Sequence, residues 1–507
     1  APLSMSVAPV APRSGDITSN LSRAFNADLS QPLPFALLAV AFLAVRIPFV
    51  NYGHGTDPDA WRVAVTAHHL IDHGDYFPSR LPGNPLHEFV MAIFIPGGWI
   101  ATNLATALAA LVGVYLFARV AAHLKLPSAA VLTVCFAFTP LLFINSIATM
   151  DYMWTLTAIL GAYFCVLRKQ PLLAGVLVGC AIGFRLQSFI IWPALAFLLW
   201  RQGQIRQIPA FTVAAGGVAA LAFAPVLVAY GTGFFTFYDA PVYYQDVIRL
   251  LGKEALGVIG GAGVLVGALL SWRKLVRLPF DVATDHQVAT WLLVIGIYFS
   301  SFFRLPHEIA YLIPVFPFGL LLMGRYFSQL ALTGATVAII LAGVVDVTTP
   351  SDELSVSTFK SATVGRGLIL SNADTMAAQH DFVDEILRSP VPDHSLVMAG
   401  FVFPQLAVRE RERLESRILQ RDHTAISMLS DRGEAVNKER DIRYVWLLTY
   451  PAFQSLRAEG YNFFLVPDAA GGVAALYYYR PQIFGATFLK LDRPAPSAAK
   501  GTASTDR

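Results

Sequence analysis

The feature that most constrains this chain is a series of apolar segments, each near the roughly 20 residues that a helix needs to cross a bilayer. We place about eleven of them, at residues 33–50, 92–118, 127–147, 151–167, 171–184, 186–200, 208–230, 255–272, 288–303, 309–325 and 329–347. The chain is 55% hydrophobic and 14% charged, which is too little charge to cover a soluble protein. The sequence therefore predicts a polytopic α-helical membrane protein. The short pair 171–184 and 186–200 could instead form a hairpin that stops short of a full crossing.

The N-terminal residues 1–32 are polar and rich in Pro, Ser and Ala, which predicts a disordered segment. The apolar segment that follows ends in Arg46-Ile47-Pro48 and has no small-residue cleavage site. We therefore expect a retained first helix and not a removed signal peptide.

The basic residues of the loops alternate along the membrane part. Most of them lie in every second loop. These residues are Arg119, Lys125, Arg168, Lys169, Arg201, Arg206, Arg273, Lys274, Arg277 and Arg325. Because cytoplasmic loops carry the excess of Lys and Arg, this pattern predicts a cytoplasmic N-terminus. The first long loop, 51–91, then lies on the outer side, together with 146–150, 231–254, 304–308 and everything after residue 347.

The character of the chain changes after the last apolar segment. Residues 348–495 mix charged residues with short β-like runs at Ser395–Phe401, Tyr444–Tyr450, Asn462–Val466 and Ala474–Tyr479, and with helical stretches at 372–388 and 404–420. This pattern predicts a soluble α/β domain. The tail 496–507 is rich in Pro, Ala, Ser and Thr and is predicted to be flexible.

Composition and motifs exclude several classes of function. A net charge of +3, with the basic residues scattered, indicates no nucleic-acid partner. Cys135, Cys165 and Cys180 lie inside apolar segments without metal-ligand spacing, so we predict that they are small buried hydrophobes. The sequence has no P-loop, no HExxH motif and no GxSxG motif.

The first outer loop holds the main candidate for chemistry, Asp57-Pro58-Asp59, at the start of an amphipathic stretch. Capping explains part of the pattern, since Asp57 suits the N-cap, Pro58 the first helical position and Gly74 the C-cap. A surface helix lying on the membrane would look the same. Capping needs only one carboxylate, however. Two at the mouth of a membrane helix could supply a general base and a metal ligand or orienting partner.

The same loop ends in a proline-rich stretch from Tyr76 to Glu88. Three prolines and a glycine predict an extended, turning path that is not helical. One interpretation is a rigid connector that returns the chain to the membrane. The other is a preformed rim that presents Arg80 and Glu88 to a substrate.

Polar residues also interrupt the middle of the membrane part. Asp151 opens the fourth apolar segment, where it is either an N-cap or a second polar contact in a cavity. Arg185 and Gln187 lie between two apolar segments, and an ionisable group there usually faces a polar cavity. Pairing of Arg185 with a carboxylate is the alternative.

A further group lies at the junction of the ninth and tenth segments, and comprises Arg304, His307, Glu308 and Tyr311. Arg and His can bind a phosphate head group while the lipid tail runs along the helices. Interfacial anchoring by Arg and Tyr is the alternative. The polar candidates are all predicted to face the outer side, where nucleotide sugars are absent, so an enzyme working there would need an activated donor that crosses the membrane as a lipid.

These motifs resemble the GT-C superfamily of integral membrane glycosyltransferases, in the branch of the protein mannosyltransferases and the bacterial aminoarabinose transferases. The resemblance rests on GTDPDAWR and YFPSRLPGNPLHEF in the first outer loop, FTPLLFINSIATMDY, IGFRLQS and FRLPHEIAYLIPVFP, and it covers residues 33–347. It implies inverting transfer of a sugar from a polyprenyl-phosphate donor to a glycan, lipid or protein acceptor, at the periplasmic face of a bacterial inner membrane.

The resemblance also implies residue roles. Asp57 would be the general base, with Asp59 the second candidate for that role, while Arg304, His307 and Arg185 would bind the donor phosphate. The other polar residues, Arg80, Glu88, Asp151, Gln187, Glu308 and Tyr311, are expected to contact substrate. Some members of the superfamily use Mg²⁺ or Mn²⁺ and others do not, so a metal held by Asp57 and Asp59 stays open.

Three other functions fit parts of the pattern. A polysaccharide polymerase or ligase would bind a diphosphate-linked oligosaccharide, and its main polar site would be expected in a later outer loop. A lipid or solute transporter often has internal repeats and broken helices at mid-membrane, and we find no repeat. A sensor or scaffold would work through residues 348–495 alone.

Overall fold

The structure is a computed structural model of the 507-residue chain. It describes residues 28–234, 244–348, 362–409, 415–417, 434–446, 450–466 and 487–488. Most of the predicted disordered N-terminus, the predicted strand at Ala474–Tyr479 and the predicted flexible tail lie outside these residues.

The membrane part is built from helices. Along the described residues they are α1 (Pro32–Ala44), α2 (Pro58–His73), α3 (Pro85–Phe94), α4 (Gly98–His123), α5 (Ala129–Phe138), α6 (Pro140–Asn145), α7 (Tyr152–Leu167), α8 (Pro171–Phe184), α9 (Trp192–Arg201), α10 (Ile208–Tyr230), α11 (Tyr244–Arg249), α12 (Gly257–Leu270), α13 (Trp272–Leu275), α14 (Leu278–Thr284), α15 (His286–Arg304), α16 (Val315–Tyr326) and α17 (Gln329–Ala342).

Within the described residues, four helical stretches are long and apolar enough to cross a membrane: Pro32–Phe49, Pro85–His123, Ile205–Tyr230 and His286–Arg304. A bent pair, Val247–Glu254 with Gly257–Leu270, adds a fifth if it is one span, and the two halves meet at 82°. Shorter apolar helices lie at the other predicted segments. The chain is thus a helical membrane protein with several apolar helices. The number of crossings stays a prediction.

Small residues allow close helix packing in this bundle. A Cβ at Gly267 of α12 would lie 2.7 Å from the Phe327 ring, and one at Gly260 would lie 3.1 Å from the Ile339 backbone of α17. The glycine-rich run from Gly260 to Gly267 therefore packs against a neighbouring helix, as small residues do at membrane helix interfaces.

The loop before α4 contains two helices that the sequence explains only in part. In α2, Asp57 is the N-cap, its carboxylate accepts the Asp59 backbone N–H at 2.8 Å, and Gly74 ends the helix with φ +77°. The prediction that the stretch to Glu88 is not helical is wrong from Pro85 onward, because α3 begins there. Proline is tolerated at the first helical position, where its missing N–H has no partner to lose.

The C-terminal part contains strands as well as helices. A hairpin of β1 (Val345–Thr348) and β2 (Thr363–Arg366) precedes a six-stranded sheet of order β4-β5-β6-β3-β7-β8. Its strands are β3 (Ser395–Met398), β4 (Glu415–Arg417), β5 (Glu434–Asn437), β6 (Ile442–Val445), β7 (Asn462–Leu465) and β8 (Thr487–Phe488), and the helices are α18 (Leu368–Arg388), α19 (Phe403–Arg409) and α20 (Tyr450–Ala458). Strand β3 lies parallel to both β6 and β7, and β7 to β8.

One predicted helix of this part is wrong at its end. The sequence placed a helix over 404–420, whereas α19 is described only to Arg409 and β4 occupies Glu415–Arg417. The strand pairs antiparallel with β5, a contact from a distant part of the chain that overrides the local helical pattern.

Candidate active site

Arg80 connects the loop 51–91 to the helix bundle. Its guanidinium pairs closely with Asp59 at the start of α2 and lies 3.8 Å from the Asp151 carboxylate at the start of α7. Asp151 is 1% exposed. A buried carboxylate needs positive partners, and here Arg80 supplies one of them.

Arg185 is the second partner of Asp151. Its Nη1 lies 3.0 Å from Asp151 Oδ2, at the break between α8 and the next helical turn. The guanidinium also lies over the rings of Tyr152 and Tyr311, at 4.5 and 4.9 Å from their centroids. Asp151 occupies the N-cap position of α7 but makes no side-chain cap hydrogen bond. Of the two interpretations of Asp151, the structure therefore favours the polar contact.

Asp57 lies among carboxylates. One oxygen from each of Asp57, Asp59 and Glu308 lies within 4.8 Å of the other two. Glu308 accepts a hydrogen bond from the Tyr152 hydroxyl at 2.5 Å, which fixes it beside Asp57. Burial, then the charge of Glu308 and then that of Asp59, raise the pKa of Asp57 well above its usual value. A carboxylate whose pKa is raised is a stronger base than an ordinary carboxylate.

This raised pKa predicts a pH dependence. A general base works only when it is unprotonated, so kcat/KM should fall as the pH drops through the raised pKa of Asp57, at a higher pH than for an ordinary carboxyl. Glu308→Gln removes one of the charges that raise this pKa, so we expect the acid limb of the pH profile to move to lower pH. An unmoved limb would show that Asp57 is not the group that titrates.

A small cavity lies beside the Asp151–Arg185 pair. It is lined by Tyr152, Thr155, Arg185, Gln187, Ser188, Tyr298, Ala310, Tyr311 and Pro314. The hydroxyl groups of Thr155 and Tyr298 are buried and have no hydrogen-bond partner among the residues that the structure describes. Gln187 donates to the Ser301 hydroxyl at 2.6 Å, so it joins two helices at the cavity wall.

Glu88 is placed differently from the expectation. It is fully buried in α3, and its carboxylate accepts hydrogen bonds from the Tyr76 hydroxyl and from the backbone and hydroxyl of Ser79, the latter two at 2.8 and 2.5 Å. These contacts tie the connector to α3 and favour the connector interpretation for Glu88. Arg80 alone of the two reaches the cluster.

Two of the three residues expected to bind the donor phosphate, Arg304 and His307, lie at the end of α15 and just after it. Arg304 is the exposed last residue of α15, and His307 is half-buried and immediately precedes Glu308. The structure thus brings Asp57, Asp59, Arg80, Asp151, Arg185 and Glu308 into one cluster. It places Arg304 and His307 on the segment that leads to it.

Two residues of the cluster were missed from the sequence. Arg62 donates a hydrogen bond to Asp59 at 2.7 Å. Tyr152 donates its hydroxyl hydrogen to Glu308, and its ring lies against the Arg185 guanidinium. The i,i+3 spacing of Asp59 and Arg62 on one helix predicts their pairing. No comparable local signal identifies Tyr152.

The charges of the cluster nearly balance. Four carboxylates (Asp57, Asp59, Asp151 and Glu308) face three guanidinium groups (Arg62, Arg80 and Arg185). A bound cation can neutralise the excess negative charge and leave Asp57 unprotonated, the form in which a carboxylate acts as a base. Carboxylate oxygens are the ligands that Mg²⁺ and Mn²⁺ prefer, so Asp57, Asp59 and Glu308 fit such an ion in kind and number. Arg62 and Arg80 already pair with Asp59, and they would compete with the metal ion for its carboxylate.

Comparisons with known proteins add a distant structural likeness. No protein-family model and no curated protein sequence matches the chain. A search of solved structures finds the crystal structure of ArnT from Cupriavidus metallidurans in the apo state, at 17% identity and a TM-score of 0.43, over 70% of this chain and 64% of that chain. At this distance the likeness decides neither the reaction nor any residue's role.

Proposed function

We propose that the protein is an inverting glycosyltransferase that moves a sugar from a polyprenyl-phosphate donor to an acceptor glycan, lipid or protein. The observation that carries the proposal is the cluster itself. Asp57, with its raised pKa, lies in one cluster with the mostly buried guanidinium groups of Arg80 and Arg185, near the ends of apolar helices, where a lipid-borne substrate would arrive.

The chemistry follows from the positions of these groups. The acceptor hydroxyl or amine attacks the anomeric carbon, its proton passes to Asp57, and the bond from the anomeric carbon to the phosphate oxygen breaks. The electron pair of that bond leaves with polyprenyl phosphate. A fixed positive charge stabilises the phosphate as its negative charge grows, and preorganised charges of this kind are large contributors to catalysis.

Arg185 is the cation best supported for that role. It lines the cavity, lies at a break between two apolar segments and is held in place by Asp151 and two tyrosine rings. We propose that Arg304, at the end of α15, and His307, just after it, also bind the phosphate, as the family resemblance implies. The polyprenyl chain would then extend between the helices.

We further propose that the chain crosses the inner membrane of a bacterium about eleven times, with the N-terminus in the cytoplasm and residues 348–495 as a periplasmic α/β domain. An apolar helix lies at each predicted segment, which supports the count. The loops that form the cluster would all lie on the periplasmic side.

This topology predicts an outcome for cysteine labelling. Asp72 of α2 and Gly203 after α9 lie in loops of opposite predicted side, and Asp72 is exposed. In intact spheroplasts, an impermeant maleimide should label Asp72→Cys, and it should label Gly203→Cys only after lysis. The reverse pattern would overturn the orientation.

A divalent cation at the cluster would be held by Asp57, Asp59 and Glu308, and when bound it would supply positive charge to the donor phosphate. Because Arg62 and Arg80 already neutralise Asp59, we expect the protein to work without it. Turnover should be unchanged after EDTA treatment. Loss of turnover that Mg²⁺ or Mn²⁺ restores would instead assign the excess charge to a metal.

Donor binding tests the proposal against its competitors. We expect purified protein in nanodiscs to bind a polyprenyl-monophosphate sugar and to release polyprenyl phosphate from it. Binding only to a diphosphate-linked oligosaccharide would favour a polymerase or ligase. Binding to neither, together with transport of a lipid or solute, would favour a transporter.

A further inference from the structure

The C-terminal sheet meets the helix that carries the candidate base. Trp446 follows β6 directly, at its carboxyl end, and is buried. The Arg62 guanidinium of α2 lies 4.0 Å from the centroid of the Trp446 ring. Ligands of α/β sheets usually bind at the carboxyl ends of the parallel strands. In this protein the residue at the carboxyl end of β6, Trp446, contacts α2 instead.

Arg62 has a second contact in the cluster. Its Nη1 donates to Asp59 at 2.7 Å, from one turn further along α2. Asp59 in turn pairs with Arg80, which reaches Asp151. A continuous chain of charged contacts therefore runs from the C-terminal sheet into the helix bundle.

The same domain also holds the segment before Asp57. The Gln379 amide donates to the backbone carbonyl of Thr56 at 3.0 Å, the Thr56 hydroxyl donates to Asn372 at 3.1 Å, and the His380 ring contacts the Tyr52 carbonyl at 3.0 Å. Tyr52 and Thr56 belong to the short segment that leads into the N-cap Asp57. Helix α18 therefore contacts the segment before α2, while Trp446 contacts Arg62 within α2.

We propose that Trp446 is a positioning residue for the reaction, acting through Arg62 on Asp59. The cation–π contact holds the guanidinium in the direction in which it meets Asp59. Without the ring, Arg62 regains its rotamer freedom, and Asp59 and Arg80 lose a fixed neighbour. The C-terminal domain is then a part of the catalytic machinery and not only a cover. This inference rests on the proposed transfer reaction.

The test compares the turnover of a polyprenyl-phosphate sugar by Trp446→Ala and by Trp446→Phe, both as full-length protein in nanodiscs. Trp446→Ala should lower kcat by about 2- to 30-fold, the range that loss of one cation–π contact corresponds to, with the donor KM unchanged. Trp446→Phe keeps a ring and should recover most of kcat. Arg62→Ala should lower kcat similarly, and adding Trp446→Ala to it should lower kcat no further.

The matched control is Phe453→Ala, which removes a buried aromatic ring from the core of the same domain. We expect it to lower the melting temperature while leaving kcat in place. If it lowers kcat as Trp446→Ala does, or if Trp446→Ala leaves kcat unchanged in an active protein, the positioning role is overturned.

A second measurement separates this inference from the proposed function. A double-mutant cycle on thermal unfolding, with Trp446→Ala and Asp59→Asn, needs no turnover. We expect non-additive shifts in melting temperature, because both residues contact Arg62. If the wild type shows no turnover but the shifts in melting temperature are non-additive, the proposed transfer reaction is contradicted and the coupling of Trp446 to Asp59 is retained. If the shifts are additive, that coupling is contradicted.

Discussion

Asp57→Asn is expected to lower kcat by about 10²–10⁴, the usual contribution of a positioned general base. Asparagine cannot take the acceptor proton, but it caps a helix as well as aspartate does. The start of α2 should therefore be preserved, and the loss should appear in kcat with little change in donor affinity. Release of polyprenyl phosphate from a labelled donor is the measurement.

Asp72→Asn is the matched control for this change. It makes the same substitution at an exposed position of the same helix, far along α2 from the cap. We expect wild-type turnover from it. If Asp57→Asn is as active as Asp72→Asn, then Asp57 is only a helix cap and the base is another residue.

Asp151→Ala is expected to cost about 3–5 kcal/mol in the free energy of unfolding, because it removes the buried carboxylate of an ion pair and leaves a mostly buried guanidinium without it. Arg185 is the group that loses its partner at 3.0 Å, whereas Arg80 keeps Asp59. The measurement is denaturant-induced unfolding in mixed micelles. Arg185→Met in the same chain removes the stranded charge, and we expect the double variant to recover most of the lost stability.

Arg325→Met is the control for Asp151→Ala. It breaks an ion pair with Asp285 in the same bundle, at 3.9 Å and with the arginine side chain 49% exposed. Exposed pairs contribute about 0–1 kcal/mol, so the change should be small. A loss from Asp151→Ala that is no larger than this would show that water screens the Asp151–Arg185 pair.

Much of the membrane part could be predicted because the signals are local. Apolar length places a helix at each predicted segment, and Asp57, Pro58 and Gly74 mark the ends of α2 by capping alone. The start of α3 was not predicted, because the three prolines between Tyr76 and Glu88 indicated a non-helical connector throughout. Only the position of Pro85 relative to the following apolar run decides that it begins a helix.

The contacts within the site depend on how distant segments pack, which explains what was missed. Arg185 and Asp151 are 34 residues apart, and Tyr152 and Glu308 are 156 apart. Polar residues at the predicted outer ends of helices suggested that they converge, but not which carboxylate each arginine meets. The burial of Glu88 required the connector to fold back onto α3.

Turnover of a polyprenyl-phosphate sugar by wild-type protein and by Asp57→Asn, side by side in nanodiscs with a membrane extract as acceptor, tests the central claim most directly. The account predicts that polyprenyl phosphate is released by the wild type and that release falls by about 10²–10⁴ in the variant. Equal release from both proteins, or none from the wild type, would contradict it.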